Sequence, residues 1–161
     1  MSIKPTLFIM VGIPGSGKSY FVKNNLNHDS IIVSRDNIRF SIINDNDEYF
    51  SKEKQVFKEY VKAIQKALNE GKNVYADATH LNGVSRYKLI SNLDISNISI
   101  VPIMIKTSLG TCLSRNAART GRSKVPDYVI KNMYKTLTDP ANDLITLGKN
   151  YYKDILYVKG Y

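Results

Sequence analysis

Gly12-Ile13-Pro14-Gly15-Ser16-Gly17-Lys18-Ser19 places three glycines, a lysine and a hydroxyl at a spacing suited to phosphate. Gly12, Gly15 and Gly17 allow backbone angles that a Cβ would forbid, so successive N–H groups can converge on one anion. Pro14 and Ser16 complete the loop. A helix starting at Lys18 would add its partial positive charge. Lys18 is placed to reach the β- and γ-phosphates of a nucleoside triphosphate such as ATP, and the Ser19 hydroxyl to hold Mg²⁺. The pattern is the P-loop of nucleoside triphosphatases. A glycine-rich turn that fits the spacing by accident is the alternative.

Three further groups could turn a nucleotide site into a catalyst. Arg35-Asp36-Asn37-Ile38-Arg39 follows a short apolar run. Asp36 could accept a proton from an attacking hydroxyl, and Arg39 could hold an anionic acceptor. The rival reading makes Asp36 a helix cap and Arg39 a surface residue. Asp77 ends a second such run, where a carboxylate can bind Mg²⁺ or its waters; a plain turn residue is the alternative. His80, close by, reads as a hydrogen-bonded structural residue before a catalyst. Arg115, Arg119 and Arg122 straddle a helix break at Thr120-Gly121-Arg122-Ser123-Lys124. Arg115 and Arg119 share a helix face by their i, i+4 spacing. Arginines on a hinged segment can close over a transferring phosphoryl group; a solvated basic face is the rival. Cys112, the one cysteine, falls among Leu109, Leu113 and Ala117 at helical spacing and reads as buried and inert.

These groups need a scaffold. Thr6–Val11 reads as a buried strand, followed by the glycine loop and a helix through Leu26 with Phe21 and Val22 facing inward. Ser30–Ser34 reads as a second strand, with Asp36 at or near the N-cap of the helix after it. A helix over Ser51–Asn69, closed by Gly71, carries Val56, Phe57, Tyr60, Val61, Ile64, Ala67 and Leu68 on one face. Lys54, Lys58, Glu59, Lys62 and Lys66 lie opposite, a solvated face first and a binding surface second. Asn73–Asp77 is a third strand, and a helix follows over Val84–Asn92. Ser99–Lys106 is a fourth strand, in which Pro102 argues against a fully paired central position. Helices over Ser108–Arg119 and from Asp127 to Leu137, with Pro126 in the first turn, precede a last strand over Ile155–Val158. The alternation predicts a three-layer α/β fold with a mainly parallel five-stranded sheet, helices on both faces and a helical lid. In such a sheet, ligand groups gather at the carboxyl ends of the strands.

The 161 residues fit one domain, 1–161. One cysteine excludes an internal disulfide, and with two histidines a structural zinc site is not expected. No stretch is long enough to span a bilayer and none has a signal-peptide pattern, so a cytoplasmic protein without membrane contact is expected. The net charge is +9, and residues 106–135 hold seven bases against Asp127 alone. Such an excess favours polyanionic partners, though a basic surface can also serve solubility.

Taken together, Gly12-x-Pro14-Gly15-Ser16-Gly17-Lys18-Ser19, Arg35-Asp36-x-x-Arg39, Thr79-x-Leu81-Asn82, Arg115-Asn116-x-x-Arg119 ahead of Val125-Pro126, and Met133-Tyr134-Lys135 resemble the 5′-kinase domain of phage polynucleotide kinase and its relatives. The pieces keep that family's order and cover almost the whole chain. The resemblance implies a P-loop kinase fold with a lid around 115–126. It implies ATP and Mg²⁺ as cofactors, and 5′-OH single-stranded DNA or RNA as acceptor, in a cytoplasmic setting such as a phage-infected cell. Asp36 is similar to the family's general base, Arg39 to the arginine on the acceptor phosphate, and Arg119 to the lid arginine on ATP. The chain departs from the family with His80 in place of Asn. It also has one extra residue between Arg119 and Val125, which would let Arg122 take the lid role. Asp45-x-Asp47 lacks the rest of the phosphatase signature found in many relatives, so no phosphatase domain is expected. A small-molecule P-loop kinase and a nucleotide-dependent binding module remain the rival readings.

Overall fold

The computed structural model describes residues 4–160. Five parallel strands form one sheet among the described residues: β1 (Thr6–Val11), β2 (Ser30–Ser34), β3 (Asn73–Asp77), β4 (Ser99–Lys106) and β5 (Leu156–Lys159), in the order β2-β3-β1-β4-β5. The helices that join them are α1 (Lys18–Asn25), α2 (Arg35–Ile42), α3 (Glu53–Asn69), α4 (Gly83–Ser91), α5 (Leu109–Ala117), α6 (Asp127–Thr136) and α7 (Asp143–Leu147). This is the expected P-loop kinase architecture.

Apolar runs with two buried faces make the central strands. Leu7, Ile9 and Val11 pack with Tyr60, Ile64 and Leu68 of α3 and Leu89 and Ile90 of α4 on one face. Met10, Ile103 and Ile105 pack with Val22 of α1 on the other. Gly71, at φ 80°, ends α3, and the Lys72 N–H bonds back to the Ala67 carbonyl. The chain thereby turns directly into β3.

Several features differ from the sequence reading, beyond shifts of one residue at the ends of α1, α4, α6 and β5. The cap of α2 is Ser34, whose hydroxyl accepts the Asn37 N–H at 3.2 Å, and Asp36 lies inside the first turn. Ser34 wins the cap because the extended backbone of the strand end fits that position. Helix α3 starts at Glu53 and α5 stops at Ala117, so Arg119 lies beyond the helix. β4 is central despite Pro102. The Ile100 and Lys106 carbonyls both accept from the β5 side, at 2.9 and 2.7 Å, and alternation turns Pro102 to that side too. There β5 begins opposite Ile103, so the missing N–H falls where no ladder partner is needed. Helix α7 carries only five residues and no strong periodicity, and was not expected.

Candidate active site

The loop between β1 and α1 lines a cleft with residues Pro14 to Ser19. Gly15 has φ 83°, and a Cβ there would lie 2.7 Å from the Cys112 carbonyl oxygen. Cys112 is fully buried beneath the loop, and burial pushes its thiol pKa up, as suits an inert packing residue. Lys18 curls back, donating to the Ile13 carbonyl at 3.0 Å. Burial lowers its pKa from 10.5 to about 8; Asp77 opposes that shift and Arg119 adds to it. The buried ammonium is thus short of negative charge, which phosphate would supply. The Ser19 hydroxyl donates to Asp77 Oδ2 at 2.9 Å, which joins the ends of the loop and of β3. These are hard oxygen donors, and no cluster of three acidic, histidine or cysteine side chains exists among the described residues. That suits Mg²⁺, which binds one or two protein oxygens and completes its shell with water and phosphate.

Asp36 faces the same cleft, a cavity of about 1570 Å³ that also takes in Lys18, Ser19, Asp77, Arg119 and Arg122. Its Oδ1 is paired with the Arg39 guanidinium and accepts the Tyr49 hydroxyl at 2.6 Å. Arg39 donates to Tyr49 at 2.8 Å and to Glu53 at 2.6 Å. Because Arg39 occupies the Tyr49 oxygen as acceptor, the phenolic proton points to Asp36. Burial, then the Asp36 carboxylate, hold the Tyr49 phenol well above its usual pKa, so that proton stays in place. Arg39 is only 4 % exposed, which removes the surface-residue reading. Tyr49 and Glu53 were missed in the sequence because they come from a polar loop and the start of a helix, with no motif to mark them.

The three arginines occupy different places. Arg115 donates to the Gly15 carbonyl at 3.1 Å and braces the loop from below. Arg119 rests on the Ser123 carbonyl at 3.4 Å. Arg122 crosses the cleft to Asp45 at 3.4 Å and stacks over the Phe40 ring at 4.8 Å. Buried Asn116 closes the base of this segment: its carbonyl accepts the Val125 N–H at 3.0 Å and its amide donates to the Val125 carbonyl. Residues 118–124 therefore form a connection pinned at its root, with one 3-10 turn over Gly121–Ser123, and it carries Arg119 and Arg122.

Behind the cleft, His80 donates from Nδ1 to the Met10 carbonyl at 2.6 Å and accepts the Tyr60 hydroxyl at Nε2. Burial lowers its pKa to about 4, so the ring is neutral. His80 is a structural residue at φ 42°. Its own carbonyl accepts from Arg86, which is fully buried and paired with Asp143 at 2.7 Å; Tyr152 donates to the same carboxylate. Next to it, the Thr79 carbonyl accepts the Gly12 N–H at 3.0 Å, so this network backs the phosphate loop. At the carboxyl ends of β4 and β5, the Thr107 hydroxyl donates to the Ser16 carbonyl at 2.7 Å, and Gly160 packs on Thr107 so closely that no Cβ fits.

The arrangement has relatives. Over 146 residues the chain is 31% identical to the L-seryl-tRNA(Sec) kinase of Methanococcus maripaludis, covering 84% of this chain and 53% of that protein. It is 28% identical over 142 residues to a putative bifunctional polynucleotide kinase/RNA ligase of Autographa californica nuclear polyhedrosis virus, covering 80% of this chain and 20% of that one. The chain thus spans about half, or less, of the relatives it matches. A chain of the Pnkp1/Rnl/Hen1 RNA repair complex superposes with a TM-score of 0.71 at 24% identity, over 85% of this chain and 45% of that one, so the fold is shared. No described helix is long and apolar enough to cross a membrane. The model of an AAA domain family matches residues 7–140, from β1 through the arginine loop and α6, and the chain belongs to that family of P-loop kinase domains.

Proposed function

We propose that this domain transfers the γ-phosphoryl group of ATP to the 5′-hydroxyl of a DNA or RNA strand. The observation that carries the reading is Asp36. Its carboxylate shares one cleft with the P-loop, and one of its oxygens is held by Arg39 and Tyr49. The other oxygen can accept the proton of a hydroxyl entering from the α2 side, while the P-loop holds the donor opposite. Asp36 takes the proton as the hydroxyl oxygen attacks the γ-phosphorus in line. Lys18 and an arginine of the 118–124 connection meet the charge that spreads over the transferring oxygens. Ser19 and Asp77 would hold Mg²⁺, which would supply positive charge against the donor phosphates.

The net charge of +9 and the similarity to a viral polynucleotide kinase/RNA ligase favour a polyanionic acceptor. The seryl-tRNA kinase similarity supports a second reading, in which the accepting hydroxyl is a serine carried on RNA. Labelled ATP offered with 5′-OH oligonucleotides, seryl-tRNA, nucleosides and sugars separates these readings. Label on the oligonucleotide 5′ end is expected. Label on seryl-tRNA or a small molecule alone would overturn the proposal.

A further inference from the structure

The outer face of α3 carries Lys54, Lys58, Lys62 and Lys66, one every helical turn and all exposed. None has an ion-pair partner among the described residues. Gln55, Gln65 and Asn69 share that face, and Glu59 lies half-buried at its edge. Like charges four residues apart destabilise a helix, and an acid at alternate positions would remove the cost. Three such pairs in a row, uncompensated, are therefore a feature to be explained.

The ladder has a direction. Glu53, the first residue of α3, lines the cleft and holds Arg35 and Arg39. Lys54 is the next residue, and the lysines run from there down the helix for about 18 Å at 1.5 Å per residue. Their step of about 6 Å is wider than the roughly 3.4 Å between phosphates along a duplex strand, so it suits a strand that is drawn out. A strand whose 5′ end sits at Asp36 can leave the cleft over the start of α3 and meet one ammonium per phosphate.

We propose that the lysine ladder of α3 is a track for the body of a single-stranded polynucleotide acceptor, downstream of the nucleotide that is phosphorylated. This rests on the polynucleotide reading of the cleft. The track adds affinity as the strand lengthens, until all four lysines are engaged, and takes no part in the chemistry.

The test compares the wild type with a Lys54→Gln/Lys58→Gln/Lys62→Gln/Lys66→Gln variant and a Lys131→Gln/Lys135→Gln control on α6. Acceptors are a 5′-OH trimer and a 5′-OH 15-mer. The ladder variant should raise KM for the 15-mer about tenfold or more and leave kcat and both trimer constants unchanged. Its log–log salt slope for the 15-mer should fall by about 2–3, at about 0.7 for each single-strand phosphate no longer neutralised. An unchanged 15-mer KM overturns the proposal, as does a loss confined to the α6 control. Anisotropy of a labelled 15-mer measures binding without turnover. If the wild type phosphorylates no oligonucleotide yet ladder-dependent 15-mer binding remains, the 5′-kinase reading fails and the track stands. If ladder-dependent binding is seen with phosphatidylserine vesicles and not with the 15-mer, the track fails.

Discussion

The Tyr49 hydroxyl donates to Asp36 Oδ1 at 2.6 Å while accepting from Arg39, so a phenol ten residues from the arginine decides which carboxylate oxygen is free. Asp36→Asn should lower phosphoryl transfer ~10²–10⁴-fold with ATP affinity nearly unchanged, as loss of a general base does. Tyr49→Phe keeps the ring against Phe40 and Phe50 and removes only the proton. It should lower kcat about tenfold with KM for ATP unchanged. On the Asp36→Asn background it should cost nothing more. Equal kcat for Tyr49→Phe and wild type would show that Asp36 needs no such restraint.

Lys18 titrates in a useful range. Its pKa near 8 in the free protein reflects burial, and triphosphate would raise it again. ATP binding should therefore take up a proton above pH 8, and Kd should weaken as pH climbs from 7.5 to 9.5. Titration calorimetry in buffers of different ionisation enthalpy reads this uptake directly. Lys18→Ala should bind ATP poorly and show no uptake.

Arg39 is expected to serve stability as well as the acceptor. Arg39→Ala leaves Glu53 without its closest partner. With Glu53 partly exposed, the loss should be about 1–3 kcal/mol in a denaturant titration. The wild type should prefer a nucleoside 3′-monophosphate to the bare nucleoside, and the mutant should lose that preference. Retained preference would place the acceptor phosphate on another residue.

Of Arg115, Arg119 and Arg122, Arg119→Ala should lower kcat most. Arg119 is the one whose charge bears on Lys18, and its loss should spare ATP affinity. Arg115→Ala should instead weaken ATP binding, because Arg115 holds the Gly15 carbonyl. Stopped-flow single-turnover rates separate the two. If Arg122→Ala is the crippled variant, the lid role passes to the residue now resting on Asp45 and Phe40.

His80 gives a pH signature in stability. Its folded pKa of about 4 lies below the unfolded 6.5, so its neutral form stabilises the fold fully above pH 6.5. That stabilisation should decline as pH falls from 6.5 to 4. His80→Asn tolerates the positive φ and does not titrate. The Tm gap between wild type and His80→Asn should shift by several degrees between pH 7 and 4.5, in favour of the mutant at low pH. A constant gap would mean that His80 is not held neutral.

Most of the sheet was legible because buried parallel strands leave dense apolar runs, and Ser30–Ser34, Asn73–Asp77 and Ser99–Lys106 fall within their expected bounds. The glycine loop was legible because few residue types fit its geometry. What escaped is long-range polar pairing. Arg86 meets Asp143 across 57 residues, and neither lies in a pattern that marks burial. Glu53 looked like any acid at a helix start, yet it organises Arg35 and Arg39. Arg119 looked helical because its spacing from Arg115 is helical, but buried Asn116 captures Val125 and ends the helix first.

The contact of Gly160 with Thr107, and of Thr107 with Ser16, has a consequence for synthesis. The phosphate loop is translated before its buttress: Thr107 follows Ser16 by 91 residues, and Gly160 comes later still. A nucleotide stabilises only the state that binds it. A nucleotide held by this loop therefore stabilises the growing chain in full only once β4 and β5 are made and paired.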